Sequence, residues 1–431
     1  MDNSSAIHAP DGALSLATAR GPNNFRLLSL MLPTSAAMIA GYQGIQQILI
    51  PAQVEAVNAA HKVENLAMLT TLTAVTAVLG LLLGGVLSDR TSGRFGRRAP
   101  WLVATALVSA VLFVLMGLSV SLLAIAASYA LLWFTFNFYQ AAFTAILPDR
   151  IGESARGAAS AVIGLGTPLG IALGLNFVAR VPRVQAYAGL AAFVLVTTFA
   201  LVVFARERPV ARPLLPVAPP STAPWLVTAW RQLATMFSAF RSRDFTLAFV
   251  SRACMFLGAF TVTGYAFYIL QDFIGVAKLP GKDPAIALSV LGTLQVVAWV
   301  ISVPIAGWVA DRFNCRKIVV GVSSLGMAGA MVVPVLFPTW NGIVAFYVLV
   351  GAFFGAYMAV DLALMSLVLP DKHSEGRDMA VLAVATAGPQ FLSPATAGII
   401  ISYMGYHELF LFGALASVAG GLLVFLIRGV R

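Results

Sequence analysis

The chain has 431 residues, of which 59% are hydrophobic and only 10% are charged, whereas roughly 25% of the residues in an average soluble domain are charged. The formal net charge is +10, but no lysine precedes a serine or threonine, so the chain has no phosphate-binding Gly-Lys-Ser/Thr loop. This composition excludes an ordinary soluble domain and a nucleotide hydrolase of that type, and it predicts a protein that lies mostly in lipid.

Residue types suited to metal or redox chemistry are few. The four histidines all fall in predicted tails or loops, and the two cysteines, Cys254 and Cys315, cannot form a framework of disulfides. The apolar segments also hold no cluster of nucleophile, base or metal ligands. The sequence therefore predicts no metal, no cofactor apart from a proton as coupling ion, and no enzyme activity.

Long apolar runs predict transmembrane helices in chain order. Each run is long enough to cross a hydrocarbon core about 30 Å thick as a helix, and backbone groups in lipid must be satisfied within the segment. The twelve predicted spans are residues 26–50, 65–88, 101–119, 121–147, 157–180, 187–205, 244–273, 285–310, 317–337, 341–369, 380–404 and 408–428. The predicted fold class is an all-α polytopic membrane protein.

The distribution of positive charge orients these spans. If the N-terminus is cytoplasmic, 21 of the 27 lysine and arginine residues fall on the cytoplasmic side. Positively charged loops are retained in the cytoplasm, so we expect both termini there, in a bacterial plasma membrane. The basic residues then lie beside lipid headgroups, and no nucleic acid partner is predicted.

A proline-rich stretch separates the sixth predicted span from the seventh. It contains six prolines between Pro209 and Pro224, which favour an extended tether over a helix. A hydrophobic stripe at steps of three and four follows and predicts an amphipathic helix at the membrane interface. The stripe consists of Leu226, Trp230, Leu233, Phe237 and Phe240. The predicted domains are a cytoplasmic tail (1–25), a six-helix bundle (26–205), this linker (206–243) and a second six-helix bundle (244–431).

The second bundle repeats the first at a nearly constant spacing. Gly85, Asp89 and Arg90 recur 222 residues later as Gly307, Asp311 and Arg312, and Leu147-Pro148-Asp149-Arg150 recurs at the same spacing as Leu369-Pro370-Asp371-Lys372. Arg156 matches Arg377 and Pro168 matches Pro389, both at a spacing of 221. Several segments that keep one register indicate a duplication in parallel orientation.

The loop after span 2 carries a family resemblance. The segment Gly85-Val-Leu-Ser-Asp89-Arg90-Thr-Ser-Gly-Arg94-Phe-Gly-Arg97-Arg98 resembles the loop signature of major facilitator transporters, in the form used by glycoside-pentoside-hexuronide symporters and sucrose transporters. The resemblance implies two parallel six-helix bundles with a solute site between them near the midplane. Span 2 lacks the aspartate that sodium-coupled melibiose-type members use as a cation ligand. The segment Gly164-Leu-Gly-Thr-Pro168-Leu-Gly170 resembles part of an antiporter motif, so import and export both stay open.

The same loop is predicted to act as a conformational latch. Gly85 would allow close helix contact, Asp89 would accept from a helix N-terminus or an arginine, and the arginines would lie near anionic headgroups. The alternative is a cluster that serves topology alone. The predicted latch residues are Gly85, Asp89, Arg90, Arg94, Arg97 and Arg98, with Asp311 and Arg312 in the repeat.

Two ionisable residues lie well inside predicted spans, away from their ends. Asp361 is a carboxylate deep in span 10, and Arg252 lies about two turns into span 7. Ionisable residues inside a membrane are functional candidates by default, and a buried carboxylate can take up and release a proton. We predict that Asp361 couples transport to protons, with Arg252 as its partner or as a clamp for an anionic group. The alternative is a purely structural pair.

Uncharged hydrogen-bonding side chains are predicted to bind the solute. Amides beside a tryptophan face suit a neutral polyol or sugar. For any single residue the alternative is a hydrogen bond to a neighbouring helix. The predicted solute-binding residues are Gln43, Gln46, Gln47, Trp133, Asn137, Gln140, Tyr265, Tyr357 and Gln390.

These features together predict a monomeric secondary active transporter, with solute and membrane lipid as its partners. It would move a small polar organic solute, such as a sugar or glycoside, by alternating access coupled to protons. The alternatives are an efflux transporter for an amphipathic metabolite or drug, and a transporter-like sensor or scaffold.

Overall fold

A computed structural model describes residues 22–207, 238–369 and 375–428 of the chain. These residues form helices and turns and include 12 helical segments that are long and apolar enough to cross a membrane. The predicted all-α polytopic fold is confirmed. The N-terminal tail before residue 22, most of the predicted amphipathic stripe and the repeat residues Asp371 and Lys372 lie outside the described residues.

The α-helices are numbered here in chain order. They are α1 (Pro22–Gly44), α2 (Ile50–Val57), α3 (Lys62–Arg90), α4 (Ala99–Leu118), α5 (Leu122–Thr144), α6 (Ile146–Arg150), α7 (Glu153–Gly164), α8 (Gly166–Val178), α9 (Arg183–Phe204), α10 (Arg243–Thr263), α11 (Ala266–Tyr268), α12 (Pro284–Phe313), α13 (Arg316–Leu336), α14 (Trp340–Leu367), α15 (Glu375–Tyr403) and α16 (Tyr406–Phe425).

The first span is longer than predicted. A π-helical turn, Ile45–Leu49, joins α1 to α2, so the span runs to Val57 where the sequence predicted an end at residue 50. Pro51 has no N–H to donate to the carbonyl of Gln47, and the missing i to i−4 hydrogen bond gives a local reason for the wide turn. The apolar helix continues beyond the π-helical turn as α2.

The seventh span is broken where the sequence predicted one helix over 244–273. Helix α10 ends at Thr263, and Tyr265 has non-helical dihedral angles (φ −114°, ψ 18°). Below the break the chain continues as α11 and a π-helical turn, Ile269–Gly275. The tyrosines beside the break are anchored, because Tyr265 donates to the carbonyl of Pro394 (3.0 Å) and Tyr268 to that of Pro51 (2.9 Å).

The described residues form two compact units, which fall within Met1–Ile45 with Leu72–Pro213 and within Gln46–Thr71 with Leu214–Arg431. In the first unit α1 packs on α8 and α9, and α4 packs on α5 and α9. In the second unit α10 packs on α15 and α16, and α13 packs on α14 and α16. The same pattern of pairs occurs in both units, as a duplication predicts. The segment 46–71, placed by the sequence in the first bundle, packs within the second unit.

Glycines allow close helix contact in each unit but on different helices. In the first unit a Cβ on Gly80 or Gly84 of α3 would overlap the backbone of α5 at Phe134 and Phe138. In the second unit the equivalent approach is made by α14, where Gly351 and Gly355 lie against the backbone of α12. Small residues at such positions bring helices close enough for extensive van der Waals contact.

Candidate functional site

A buried ion pair lies inside the second unit. Arg252 on α10 places Nη1 3.0 Å from Oδ2 of Asp361 on α14, and the two side chains are 10% and 0% exposed. Arg252 Nε donates to the hydroxyl of Thr386 on α15 (2.9 Å), and the guanidinium lies 5.6 Å from the centre of the Phe256 ring. The two residues predicted to couple transport are therefore in direct contact.

Tyr357 completes this group of residues from α14. It lies one helical turn before Asp361, is fully buried, and packs edge to face on Phe256 with ring centres 6.0 Å apart. Within the described residues, neither the Tyr357 hydroxyl nor the Asp361 carboxylate makes a well-oriented hydrogen bond, although Oδ2 of Asp361 is in ion-pair contact with Arg252. Leaving a buried polar group unsatisfied costs about 1–3 kcal/mol, so such groups often mark a functional position.

The interior of the first unit holds a neutral polar group instead. The Tyr42 hydroxyl of α1 donates to Oε1 of Gln140 on α5 (3.0 Å), and its ring meets Trp133 edge to face at 5.4 Å. The Asn137 amide donates to the carbonyl of Trp133 in its own helix (2.8 Å). Three predicted solute-binding residues, Trp133, Asn137 and Gln140, therefore form one connected group, to which the structure adds Tyr42.

The other predicted solute-binding residues are Gln43, Gln46, Gln47, Tyr265 and Gln390. Gln43 is near the end of α1, while Gln46 and Gln47 lie in the π-helical turn that follows, and all three are half-buried. Gln390 on α15 is exposed. Tyr265 is almost fully buried and its hydroxyl is bound to the carbonyl of Pro394, so in this structure it packs helices together and is not open to a solute.

A second buried arginine lies in the first unit, beside the loop after α3. Arg98 donates to Asp89 through Nη2, to Asp149 through Nε (2.9 Å) and to the Ser88 hydroxyl through Nη1 (2.6 Å). Glu207 accepts the backbone N–H groups of Arg98 (2.8 Å) and Ala99 (3.1 Å) at the start of α4. We call these residues the Arg98 cluster, and they are Ser88, Asp89, Arg98, Asp149 and Glu207.

The carboxylates of this cluster stabilise the charge on Arg98. Burial lowers the pKa of the guanidinium, but the hydrogen bonds and charges of Asp149 and Asp89 outweigh that effect, so the pKa of Arg98 is raised. Of the predicted latch residues, Asp89 and Arg98 are thus in contact. Every partner described for them belongs to the first unit, so the cluster braces that unit.

The remaining latch residues differ from the prediction in part. A Cβ on Gly85 would meet no atom within 4 Å, so the close helix contact expected there is made by Gly84, one residue earlier. The helix face that meets α5 includes residue 84 and not residue 85. Arg90 and Arg94 are exposed, with Arg94 over the Phe95 ring at 4.6 Å, and Arg97 is half-buried.

The repeat of this loop in the second unit is built differently. Asp311, the counterpart of Asp89, pairs with Arg316 at 3.2 Å, and their side chains are 73% and 33% exposed. Arg312 is also exposed. The duplicated acidic residue is kept, but among the described residues it has one partner at the surface.

Sequence reasoning missed a third charged group, at the start of α3. Lys62 Nζ lies 3.0 Å from Glu55 and 2.8 Å from Asp272. Gln271 also donates to Glu55, and the Tyr406 hydroxyl donates to Asp272 (2.7 Å). These five residues form the Lys62 cluster. These residues come from four separate stretches of the chain, so no local sequence pattern could reveal the cluster. In the Arg98 cluster, by contrast, the repeated Leu-Pro-Asp motif made Asp149 visible in the sequence.

Comparisons with known proteins agree with this architecture. The sequence matches the family model described as Major Facilitator Superfamily over residues 34–294 and 281–431. No functionally curated protein matches it significantly. Among solved structures, a peptide transporter POT in complex with sulfate is similar with a TM-score of 0.70 and 14% identity, covering 97% of this chain and 98% of that one.

Two further solved structures show the same likeness. One is a POT family transporter in complex with a thioalcohol-conjugated peptide (TM-score 0.68, 11% identity, 93% of this chain and 95% of that one). The other is a POT family transporter in complex with 5-aminolevulinic acid (TM-score 0.69, 12% identity, 93% and 95%). At these identities the likeness is one of fold.

Proposed function

Because the chain belongs to the major facilitator superfamily, we propose that it is a proton-coupled secondary transporter for a small polar organic solute of sugar or glycoside type. The family and the 12 apolar helices make it an integral, multi-pass membrane transporter and not an enzyme. Transporters of this superfamily need no cofactor. The solute and the coupling ion are our proposal.

The main support for proton coupling is the buried Arg252–Asp361 ion pair. Taking two charges out of water costs several kcal/mol per ion, so the pair adds little stability compared with apolar residues of similar size. Asp361 is fully buried and lies within a span, where ionisable residues are rare and commonly serve transport. A carboxylate that is neutral in one state and paired in another can carry one proton per cycle.

The neutral group of the first unit supports a polar, hydroxyl-rich solute. Tyr42 and Gln140 supply a hydroxyl and an amide, which both donate and accept hydrogen bonds, beside the face of Trp133. The peptide, sulfate and 5-aminolevulinic acid named for the structural neighbours are ligands of those proteins, and the low identity gives no reason to transfer them to this chain.

Alternating access also needs contacts that break and re-form. Lys62 and Asp89 lie near opposite ends of α3, about 40 Å apart at 1.5 Å per residue. We propose that the Arg98 cluster, which braces the first unit in this conformation, is made in one conformation of the cycle and broken in another, and so acts as the cytoplasmic latch. The Lys62 cluster would act in the same way at the other end of α3. Both termini are cytoplasmic in this orientation, as the positive-inside rule requires.

The proposed function can be tested in proteoliposomes that contain a pH-sensitive dye. Sugars, glycosides and sugar acids are added outside, one at a time. A transported solute should acidify the interior in the wild type, and the Asp361→Asn variant should still exchange that solute in counterflow but lose the acidification. Glu408→Gln, which also replaces one carboxylate of the second unit by an amide, is the matched control. Undiminished acidification by Asp361→Asn would rule out the coupling role, and the absence of counterflow with every solute would contradict the solute class.

A further inference from the structure

The two members of the buried ion pair are unequally accessible. Asp361 is fully buried, whereas the side chain of Arg252 is 10% exposed. Nη1 of Arg252 faces Asp361 and Nε donates to Thr386. A ligand that reaches this pair therefore meets the N–H donors of the cation before it meets the carboxylate. Guanidinium groups bind carboxylates and other oxyanions through such donors, often in pairs.

The charges of the pair restrict what can bind there. The arginine cannot be deprotonated in a protein, but the carboxylate can take up a proton. If an anion joined the pair while Asp361 was ionised, one negative charge would be left without compensation in a medium of low dielectric constant. If Asp361 is protonated first, Arg252 and the anion form a neutral pair. A cationic ligand has no equivalent route, because it would leave Arg252 unpaired.

Among the described groups that face Asp361, no other side chain can take up the proton when an anion replaces the carboxylate. Within the described residues these groups are Arg252 on α10 and Tyr357 on α14, with the neutral Thr386 hydroxyl beside Arg252 on α15. The Tyr357 hydroxyl lies beside the Asp361 carboxylate without a well-oriented hydrogen bond among those residues. That hydroxyl can donate to a bound anion or to the neutral carboxyl group without changing the charge of the site.

We propose that the transported solute carries an anionic group, such as a carboxylate, which binds Arg252 in place of Asp361 once Asp361 has taken up a proton from water. The proposal rests on the proposed transport function and narrows its solute to polar organic anions. One proton then enters with each solute molecule, because Asp361 is the one carboxylate that the exchange uses. The transport of a monoanion is electroneutral, and both the proton and the anion are released when the ion pair re-forms.

Binding to purified protein tests the site without a transport assay. The probes are D-gluconate and D-sorbitol, which differ only in a carboxylate against an alcohol at one end. Thermal unfolding is followed at pH 7.5 and pH 5.5 at fixed ionic strength, because a ligand of the folded state raises the unfolding temperature. Gluconate should bind Asp361→Asn about tenfold more tightly than it binds the wild type at pH 7.5, and Arg252→Gln should not respond to it.

The pH dependence of the wild type keeps this test valid if Asp361→Asn does not fold. Gluconate should stabilise the wild type more at pH 5.5 than at pH 7.5, while sorbitol should show no such change. Equal responses to gluconate and sorbitol, or a gluconate response that persists in Arg252→Gln, would overturn the anion site.

A transport assay can distinguish the anionic solute proposed here from proton-coupled transport in general. In proteoliposomes, acidification driven by a gluconate gradient should be unchanged when the membrane potential is set with potassium and valinomycin. A marked dependence on the potential would overturn the electroneutral exchange. If neutral solutes show counterflow and acidification while sugar acids show neither, the proposed function stands and the anionic solute does not.

Discussion

Each unit contains a buried arginine, but the two lie at different depths and have different partners. In the first unit Arg98 lies outside the spans, between α3 and α4, and binds two carboxylates and a hydroxyl. In the second unit Arg252 lies within a span and faces one carboxylate, Asp361. The duplicated helices are alike in their packing, so the difference comes from which positions carry charge.

The comparison shows that two units with the same helix packing need not have the same charged contacts. The loop that forms the Arg98 cluster recurs in the second unit, where Asp311 makes one exposed ion pair with Arg316. Exposed pairs contribute about 0–1 kcal/mol, whereas a buried arginine with several partners holds neighbouring segments in place. In our interpretation the first unit uses its arginine as a brace and the second uses its arginine in coupling. Four substitutions test this division.

The largest effect is expected from Arg252→Gln. The change leaves Asp361 buried without a counter-charge, which should destabilise the protein by about 3–5 kcal/mol. Thermal unfolding of the detergent-purified protein measures it. The double variant Arg252→Gln with Asp361→Asn should regain much of that stability but not proton-coupled transport. A single variant as stable as the wild type would show that the two charges are not coupled.

Arg98→Gln should have the second largest effect. Asp89 and Asp149 would lose their partner, but their side chains are 60% and 31% exposed, so water can compensate for part of the loss. We expect a destabilisation of about 2 kcal/mol. Arg316→Gln, the matched change in the repeat, should cost less than about 0.5 kcal/mol. Equal melting temperatures for the two variants would remove the contrast between the repeated loops.

Asp89→Ala should affect transport more than insertion. The half-exposed ion pair of Asp89 with Arg98 contributes about 1 kcal/mol. If the pair stabilises one conformation of the cycle, its removal should slow solute exchange about fivefold. Counterflow rates and the amount of protein in the membrane are measured together. The equivalent Asp311→Ala variant is the control, with a rate close to that of the wild type. Unchanged kinetics in Asp89→Ala would count against the latch.

Of the four test substitutions, Tyr42→Phe should have the smallest effect on stability. It removes one neutral hydrogen bond to Gln140 and keeps the ring contact with Trp133, so a loss of about 0.5–1 kcal/mol is expected. If Tyr42 and Gln140 bind the solute, the apparent affinity should fall while the proton-to-solute ratio stays the same. A changed ratio would mean that coupling also involves the first unit.

Much of the fold could be predicted because hydropathy is a local property. Twelve apolar runs predicted twelve spans, and the fixed register of Asp89 with Asp311 predicted that one set of helices repeats the other. The errors lie where a span changes its path. The extension of the first span to Val57 and the break at Tyr265 depend on π-helical turns and anchored tyrosines, to which a hydropathy window is insensitive.

The candidate site was predicted less completely. Asp361 and Arg252 stood out from the sequence because charge is costly in lipid, and the structure places them in contact. Gly85 and Tyr265 were assigned roles that the structure does not support in this conformation, since a residue type does not reveal which face of a helix it occupies. Glu207 was not recognised, because its role depends on the N–H groups of Arg98 and Ala99, far away in the sequence.

The sequence by itself therefore determined the membrane class, the number of spans, the duplication and the two intramembrane charges. All of these follow from composition and spacing along the chain. Only the tertiary structure decided that Arg252 faces Asp361, that Arg98 and Lys62 each collect carboxylates from separate segments, and that Asp311 stays exposed. The physical reason is that electrostatic partners are selected by distance in space, and helix packing brings together residues as far apart in the sequence as Arg98 and Asp149, 51 positions, or Lys62 and Asp272, 210 positions.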